Sequence, residues 1–383
     1  MAISRRTLFR QIGAGAAATV GLPSLARGSA LERAGDLLEV RHAGAPVRLH
    51  KNENAYGPPS IAIAAMGSAS ATVANRYPEA ADEALRQKLA ELHSVAPAQI
   101  VLGCGSSDVL CRAVTAFLGP RRNAIVAQPT FGLIERRARR AGSDVVAVPL
   151  RADFSYDLDV MRSHADARTG LVYICNPNNP TGSLTRRRDL DAFIEKLPAT
   201  VHVIIDEAYH PYVGASSEHA SFLDRPSGNS RVIVTRSFST IHGLAGLRVG
   251  YAVAAPETAA VLSELGSPIA VNAVAALAAS AALDGVEHVR ASARRNADER
   301  QEFCNQANAR MLRTIDSHAN FVMLGTGLPA VAIVEHFRKN GVLVPAPFPP
   351  LDKYIRVSLG TPAEMREFWR VWDLMPMHHG MTM

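Results

Sequence analysis

The sequence predicts an α/β protein: a large domain with a mostly parallel sheet between helices, followed by a smaller α+β domain. Two observations predict it. Between about residue 60 and residue 255, short apolar runs of strand type alternate with amphipathic helical stretches. That alternation builds a parallel sheet covered on both faces. Beyond this point the pattern turns to longer helices broken by two strand-like runs. With 383 residues, 48% of them hydrophobic, the chain can fill both a large and a small core.

Residues 1–30 stand apart from this pattern. "SRRTLFRQ" (Ser4 to Gln11) places twin arginines before the apolar run "IGAGAAATVGLPSLA", and "GSA" ends it with small residues. The run is too short and too rich in glycine and alanine to span a membrane stably. It resembles a twin-arginine export signal, which implies a periplasmic or secreted protein, or a cytoplasmic one if the signal is not used. Residues 31–60 form an arm. Its "VRLHKNENAYGPPS" is polar and closes on Gly-Pro-Pro, so it reads as extended chain rather than helix.

The large domain covers residues 61–265. "DEALRQKLAELHSV" has helical apolar spacing. "QIVLGCGSSDVLCRAVTAFLG" reads as strand, Gly-rich turn and helix, and "NAIVAQPTFGLIERRARRAG" as strand, Pro turn and helix. "DVVAVPL" is a further strand. "TGLVYICNPNNPTG", "VHVIIDEAY" and "RVIVTRSFS" are buried strands, each ending in polar turn residues. Residues 266–383 make the small domain. "SPIAVNAVAALAASAALDG" and "HVRASARRNADERQEFCNQANAR" read as helices. "ANFVMLGTG" and "YIRVSLG" are strands on either side of the helix "AVAIVEHFRKNG".

Composition excludes several classes. The net charge is +6, but the arginines are scattered and no aromatic-interleaved basic stripe appears, so nucleic-acid binding is not indicated. Cys104, Cys111, Cys175 and Cys304 lack C-x-x-C or metal-type spacing. They read as buried or inert thiols, with neither a disulfide framework nor a metal site. No stretch after the signal could span a membrane.

The polar clusters lie at strand ends, where ligands of open α/β sheets bind. "GCGSSD" opens a helix after a strand. Its glycines let backbone approach an anion, and the N–H groups of Ser106, Ser107 and Asp108 can face it, although such a turn can equally be structural. Phe131 in "QPTFG" can stack on a planar ligand or fill the core. "NPNNPTG" sets Asn179 beside a Pro turn as a donor. Asp206 ends an apolar strand, a costly place for a charge without a partner, with Tyr209 three residues on. Ser237, Ser239 and Arg248 offer hydroxyls and a bidentate donor to a phosphate. Arg356 in "YIRVSLGT" suits a substrate carboxylate or phosphate, or a solvated surface.

Together and in this order, these motifs resemble the fold-type I aminotransferases of class I and II that use pyridoxal 5'-phosphate (PLP). The similarity spans residues 45–365 and is greatest to the histidinol-phosphate aminotransferase-like branch, whose arm and R-Y-P segment match "NENAYGPP" and "NRYPEA". The resemblance implies a homodimer in which Tyr77 reaches the neighbour's cofactor phosphate. It places Asp206 on the pyridine nitrogen, Asn179 and Tyr209 on the phenolic oxygen, Phe131 on the ring face and Arg356 on the substrate anion. The substrates would be a small-molecule amino donor and a 2-oxo acid.

Two positions depart from the family pattern. Ala55 replaces a proline of the arm. Thr240 stands in "SFSTIHGLAGLR" where the family carries its Schiff-base lysine. Threonine offers neither an amine nor a base, and removing a positioned acid–base group costs roughly 10²–10⁴-fold. The intact neighbours of Thr240 favour a recent, selected or engineered change over long drift. Three readings follow: an aminotransferase with impaired or altered chemistry, a noncatalytic holder of PLP or its amine form, and a lysine-independent PLP lyase or dehydratase. Lys51, in the arm, and His242, two residues past Thr240, are the candidates to replace the missing lysine. The side-chain pocket of the substrate is not encoded in any motif.

Overall fold

Seven of the apolar runs pair into one sheet. The structure is a computed structural model and describes residues 45–214, 218–224, 229–267 and 269–375. The export-signal segment 1–30 and the first part of the arm lie outside the described residues. The strands are β1 (Val47–Arg48), β2 (Ile100–Cys104), β3 (Asn123–Gln128), β4 (Asp144–Pro149), β5 (Thr169–Cys175), β6 (His202–Asp206), β7 (Val232–Ser237) and β8 (Val249–Val253). The large sheet runs β2-β8-β7-β6-β5-β3-β4, and only β8 is antiparallel to its neighbours. The carboxyl ends of β2, β3, β5, β6 and β7 therefore share one edge.

Helices cover both faces, as a parallel sheet requires. They are α1 (Ser60–Thr72), α2 (Glu79–His93), α3 (Ser106–Phe117), α4 (Leu133–Arg140), α5 (Leu158–Ser163), α6 (Arg187–Glu195), α7 (Pro256–Glu264) and α8 (Ala273–Asp284); the next helix, α9 (Val286–Ala309), packs its Phe303 and Ala307 in the C-terminal core. Alternate residues of β5 show the two-sided burial. Val172 and Ile174 pack with Leu85 and Leu89 of α2 and Phe193 of α6. Leu171 and Tyr173 pack with Val109 of α3, Ile134 of α4 and Leu262 of α7. One helix starts later than its apolar run suggests. Asn272 caps α8 by accepting the Ala275 N–H, so the helix begins at Ala273.

The C-terminal part adds β9 (Arg313–Thr314), β10 (Phe321–Gly325), α10 (Ala330–Lys339), β11 (Val342–Leu343), β12 (Tyr354–Ser358) and α11 (Pro362–Asp373). β12, β10 and β9 form an antiparallel sheet. The arm is extended, as its composition predicts, and it also pairs: β1 lies parallel to β11. Val47 and Leu49 of the arm enter a core with Phe303, Phe337 and Phe368. The arm is thus held by the same elements that carry Arg356.

The loop after β7, which carries Thr240, is anchored by apolar burial. Phe238, Ile241 and Leu244 are almost fully buried. Gly243 has φ +66°, and a Cβ there would lie 2.3 Å from the Gly57 carbonyl oxygen, so only glycine lets the arm cross this loop. His242 turns into the core beside Phe238, at 5.0 Å between ring centroids. It does not line the strand-end cleft.

Burial, reinforced by His288 and Arg236, pushes the His242 pKa down to about 4. Unfolded histidine titrates near 6.5. Below that value the unfolded chain takes up a proton that the folded chain refuses, so stability present at neutral pH is lost as pH falls from about 6.5 toward about 4. A gap of this size amounts to about 3 kcal/mol at the acid end. The urea midpoint should fall across that window, and His242→Phe should flatten the dependence. An unchanged slope in the variant would refute this assignment.

Candidate active site

The carboxyl ends of the parallel strands open onto a cleft of about 600 Å³. One end is built to receive an anion. β2 runs through Gly105, with φ +75°, into α3, and Ser106 and Ser107 at its N-terminus line the cleft. A helix N-terminus presents free N–H groups and positive dipole. Arg248 approaches so closely that a Cβ on Gly105 would lie 2.2 Å from its Nη2. Arg248 is itself left-handed, at φ +57°, and donates from Nη1 to Ser239 Oγ (3.2 Å) and the Ala245 carbonyl (2.9 Å). Ser237, Ser239 and Arg248 all line the cleft.

Asp108 departs from the sequence expectation. Its N–H donates to the Gly105 carbonyl (3.1 Å) and is spent within the first turn. Its carboxylate instead accepts from the Cys104 N–H (3.1 Å) and forms an ion pair with Arg112. Asp108 braces the turn from behind and does not line the cleft. Of the thiols expected to be buried or inert, Cys175 is buried and Cys104 is exposed at its strand end.

The second pole is Asp206, buried at the end of β6. Its carboxylate accepts from Tyr173 Oη (2.8 Å), Thr235 Oγ1 (3.0 Å) and the Ala208 N–H (3.2 Å). Among the described residues it has no cationic partner, and burial raises its pKa above the usual carboxylate range. The sequence reading missed both hydroxyl donors. Cross-strand register could have found Thr235, which pairs directly with Asp206.

The third pole is the Tyr209 hydroxyl. Asn179 Nδ2 donates to it at 3.2 Å, and Asn52 Nδ2 of the arm donates at 3.0 Å. Burial pushes the Tyr209 pKa up to about 12. Asn179 Oδ1 in turn accepts from Arg356 Nη1 (2.5 Å), and Arg356 Nη2 donates to the His50 carbonyl (3.0 Å). Arg356 is buried and lies 5.0 Å from the Phe348 ring centroid. Its Nε is buried with no partner. Phe131 lines the cleft from the loop after β3 and also packs on the core.

Thr240 lines the same cleft, buried, and its hydroxyl donates to the Ala208 carbonyl (2.8 Å). Lys51 lines it from the arm. Tyr77 does not: it is 80% exposed and outside this chain's cleft. The sequence reading also missed Asn52, Arg136 and Phe348, which line the cleft.

The donor set fits PLP. A protonated pyridine nitrogen is the cation that buried Asp206 lacks. The α3 N-terminus with Ser237, Ser239 and Arg248 is the set a phosphate requires. Asn179 and Tyr209 can hold a phenolic oxygen.

Residues 45–371 match the family model of aminotransferase class I and II. The chain is 36% identical over 325 residues to a histidinol-phosphate aminotransferase of Symbiobacterium thermophilum, covering 84% of this chain and 88% of that protein. It is 38% identical over 323 residues to histidinol-phosphate aminotransferase 2 of Ralstonia nicotianae, covering 83% and 85%. Among solved structures, the histidinol-phosphate aminotransferase of Sinorhizobium meliloti in complex with pyridoxal-5'-phosphate superposes with a TM-score of 0.79 at 26% identity, covering 91% and 96%.

Asp206→Asn removes the charge that burial penalises and also the carboxylate that a bound pyridine nitrogen would need. The apo variant should melt no lower than the parent, while its PLP affinity drops roughly ten- to hundredfold. Thermal shift with and without PLP reads both quantities. A variant that binds PLP as tightly as the parent would remove Asp206 from the cofactor site.

Proposed function

The chain belongs to the aminotransferase class I and II family, whose cofactor is PLP, and we propose that it moves an amino group between a small anionic amine and a 2-oxo acid, at a rate held down by Thr240. The amine would be an amino acid or an amino phosphate, such as the histidinol phosphate after which its relatives are named. One pairing of observations carries this reading: a buried Asp206 with no cation, and a buried Arg356 whose Nε has no partner. The first awaits a pyridinium and the second an anionic substrate group.

PLP, when bound, supplies an aldehyde that takes up an amino group and a ring that accepts the electron pair released at the substrate α-carbon. The chain's residues hold and orient. Asp206 keeps a proton on the pyridine nitrogen, since losing that proton would leave its own buried charge unpaired. Tyr209 and Asn179 contribute polar atoms for the phenolic oxygen. Arg356 takes the substrate's carboxylate or phosphate, held in place by Asn179 and the His50 carbonyl. Thr240 contributes no base, because a neutral hydroxyl is too weakly basic to take a proton from carbon, and its own proton goes to the Ala208 carbonyl.

That hydrogen bond also favours a second reading: a noncatalytic holder of PLP or its amine form. The two separate in one experiment. Thr240→Lys should raise single-turnover amino transfer to a 2-oxo acid by roughly 10²–10⁴-fold, the usual contribution of a positioned acid–base group. If Thr240→Lys stays inert with both amino acids and amino phosphates while PLP still binds, the amino-transfer reading fails and the holder stands.

A homodimer is part of the same proposal. Its support is the exposure of Tyr77 (80%) and of Ile61 (45%) on the alanine-rich α1, apolar surface that a second copy would cover. Light scattering should give twice the chain mass, and Tyr77→Ala should weaken PLP binding without changing that mass. A monomer that binds PLP fully would exclude a partner's Tyr77 from the site.

A further inference from the structure

We infer that Lys51 is the amine that bonds the cofactor aldehyde in this chain, from the arm rather than from the loop after β7. The inference rests on the PLP site described above. All five lysines of the sequence fall within the described residues, and Lys51 alone lines the cleft. Lys88 is tied to Asp284 and the Ser280 carbonyl. Lys339 lies 3.6 Å from Glu335. Lys196 lines a separate surface cavity beside α6. Lys353 sits just before β12, away from the cleft.

The backbone on both sides of Lys51 is fixed. The His50 carbonyl accepts from Arg356 (3.0 Å). Asn52 is held at three points: its N–H donates to Ser358 Oγ (2.8 Å), its Oδ1 accepts from the same hydroxyl (2.9 Å), and its carbonyl accepts from Asn320 Nδ2 (2.9 Å). The root of Lys51 is therefore rigid, while its ammonium has no ion pair or hydrogen bond among the described residues.

Reach follows from the neighbour. Asn52, with a much shorter side chain, already touches the Tyr209 hydroxyl (3.0 Å). Ala208, next to Tyr209, carries the carbonyl that engages Thr240. Lysine has a flexible four-carbon stem, and from its exposed place on the arm Lys51 lines the same cleft as Tyr209 and Thr240. The adjacent His50 is held toward its neutral form by burial first and by Lys51 second, so it adds no second positive charge beside the ammonium.

The step balances without an added reagent. After the ammonium gives one proton to solvent, the Lys51 Nζ lone pair would attack the aldehyde carbon; the two protons left on nitrogen would depart with the aldehyde oxygen as water as the carbon–nitrogen double bond forms. The bond is reversible and gives way to an incoming substrate amine.

Equilibrium dialysis with PLP first measures binding alone. Borohydride then converts any carbon–nitrogen double bond to a stable secondary amine, which peptide mass spectrometry locates. The expected result is one adduct per chain, on Lys51. In Lys51→Met, dialysis should still show bound PLP and the adduct should be lost. Bound PLP with no adduct, or with the adduct on another lysine, overturns the assignment and leaves the cofactor reading standing. Absence of binding in dialysis overturns the cofactor reading, and the Lys51 assignment falls with it.

Discussion

The structure turns on a carboxylate that the fold buries without a cation. Asp206 closes β6 in the middle of the sheet, almost fully buried at the floor of the cleft, and among the described residues its partners are three neutral donors. Neutral hydrogen bonds soften the cost of burying a charge but do not cancel it. The contrast with the next residue is direct. Glu207 is equally buried, but Arg236 pairs with it at 2.8 Å, and its pKa falls rather than rises. One acid is settled by the protein itself. The other is settled only by a ligand that brings positive charge to the carboxyl ends of the strands, and the rest of the cleft is arranged around such a ligand.

That arrangement depends on contacts far apart in sequence. Arg356 of β12 touches both Asn179 from the loop after β5 and the His50 carbonyl of the arm. Asn52 continues the chain of contacts to Tyr209 after β6 and to Ser358 and Asn320 of the C-terminal part. The Arg356 guanidinium, the arm and the Asn179–Tyr209 pair are thus one hydrogen-bonded assembly. Loss of any member leaves buried polar atoms unsatisfied, which is costlier than the loss of one bond.

Much of this was legible in the sequence because it is local. Strand-type runs, their helices and the polar residues at each strand end appear in order along the chain, so the sheet and the positions of Ser106, Asn179, Asp206, Ser237 and Arg248 could be read directly. What escaped depends on pairing between segments. Tyr173 reaches Asp206 only because β5 and β6 are neighbours in register. Asn52 meets Tyr209 across 157 residues. Asp108 departs for another reason: the sequence offers its backbone N–H to an anion, but that N–H donates to the Gly105 carbonyl, and its carboxylate pairs with Arg112, four positions on along the same helix face. That spacing was in the sequence and gives the bracing role more directly than the motif does.

The hydrogen bond of Thr240 bears on why the site is intact around it. A buried position that merely lost its lysine would leave a void or an unpartnered carbonyl. Here the threonine hydroxyl satisfies Ala208, and the flanking Phe238 and Ile241 remain packed. The position is therefore compatible with a folded, ordered cleft while offering it no amine. An amine is also what the rigid arm brings to the same cleft, on a residue whose two neighbours are fixed and whose own charge is not. Fixing the root of a long, unpaired side chain costs conformational freedom. Here that cost is shared with the contacts that position Arg356 and Tyr209. The arm thus brings a contact to Arg356, a contact to Tyr209 and a lysine amine to the cleft in a single stretch of three residues.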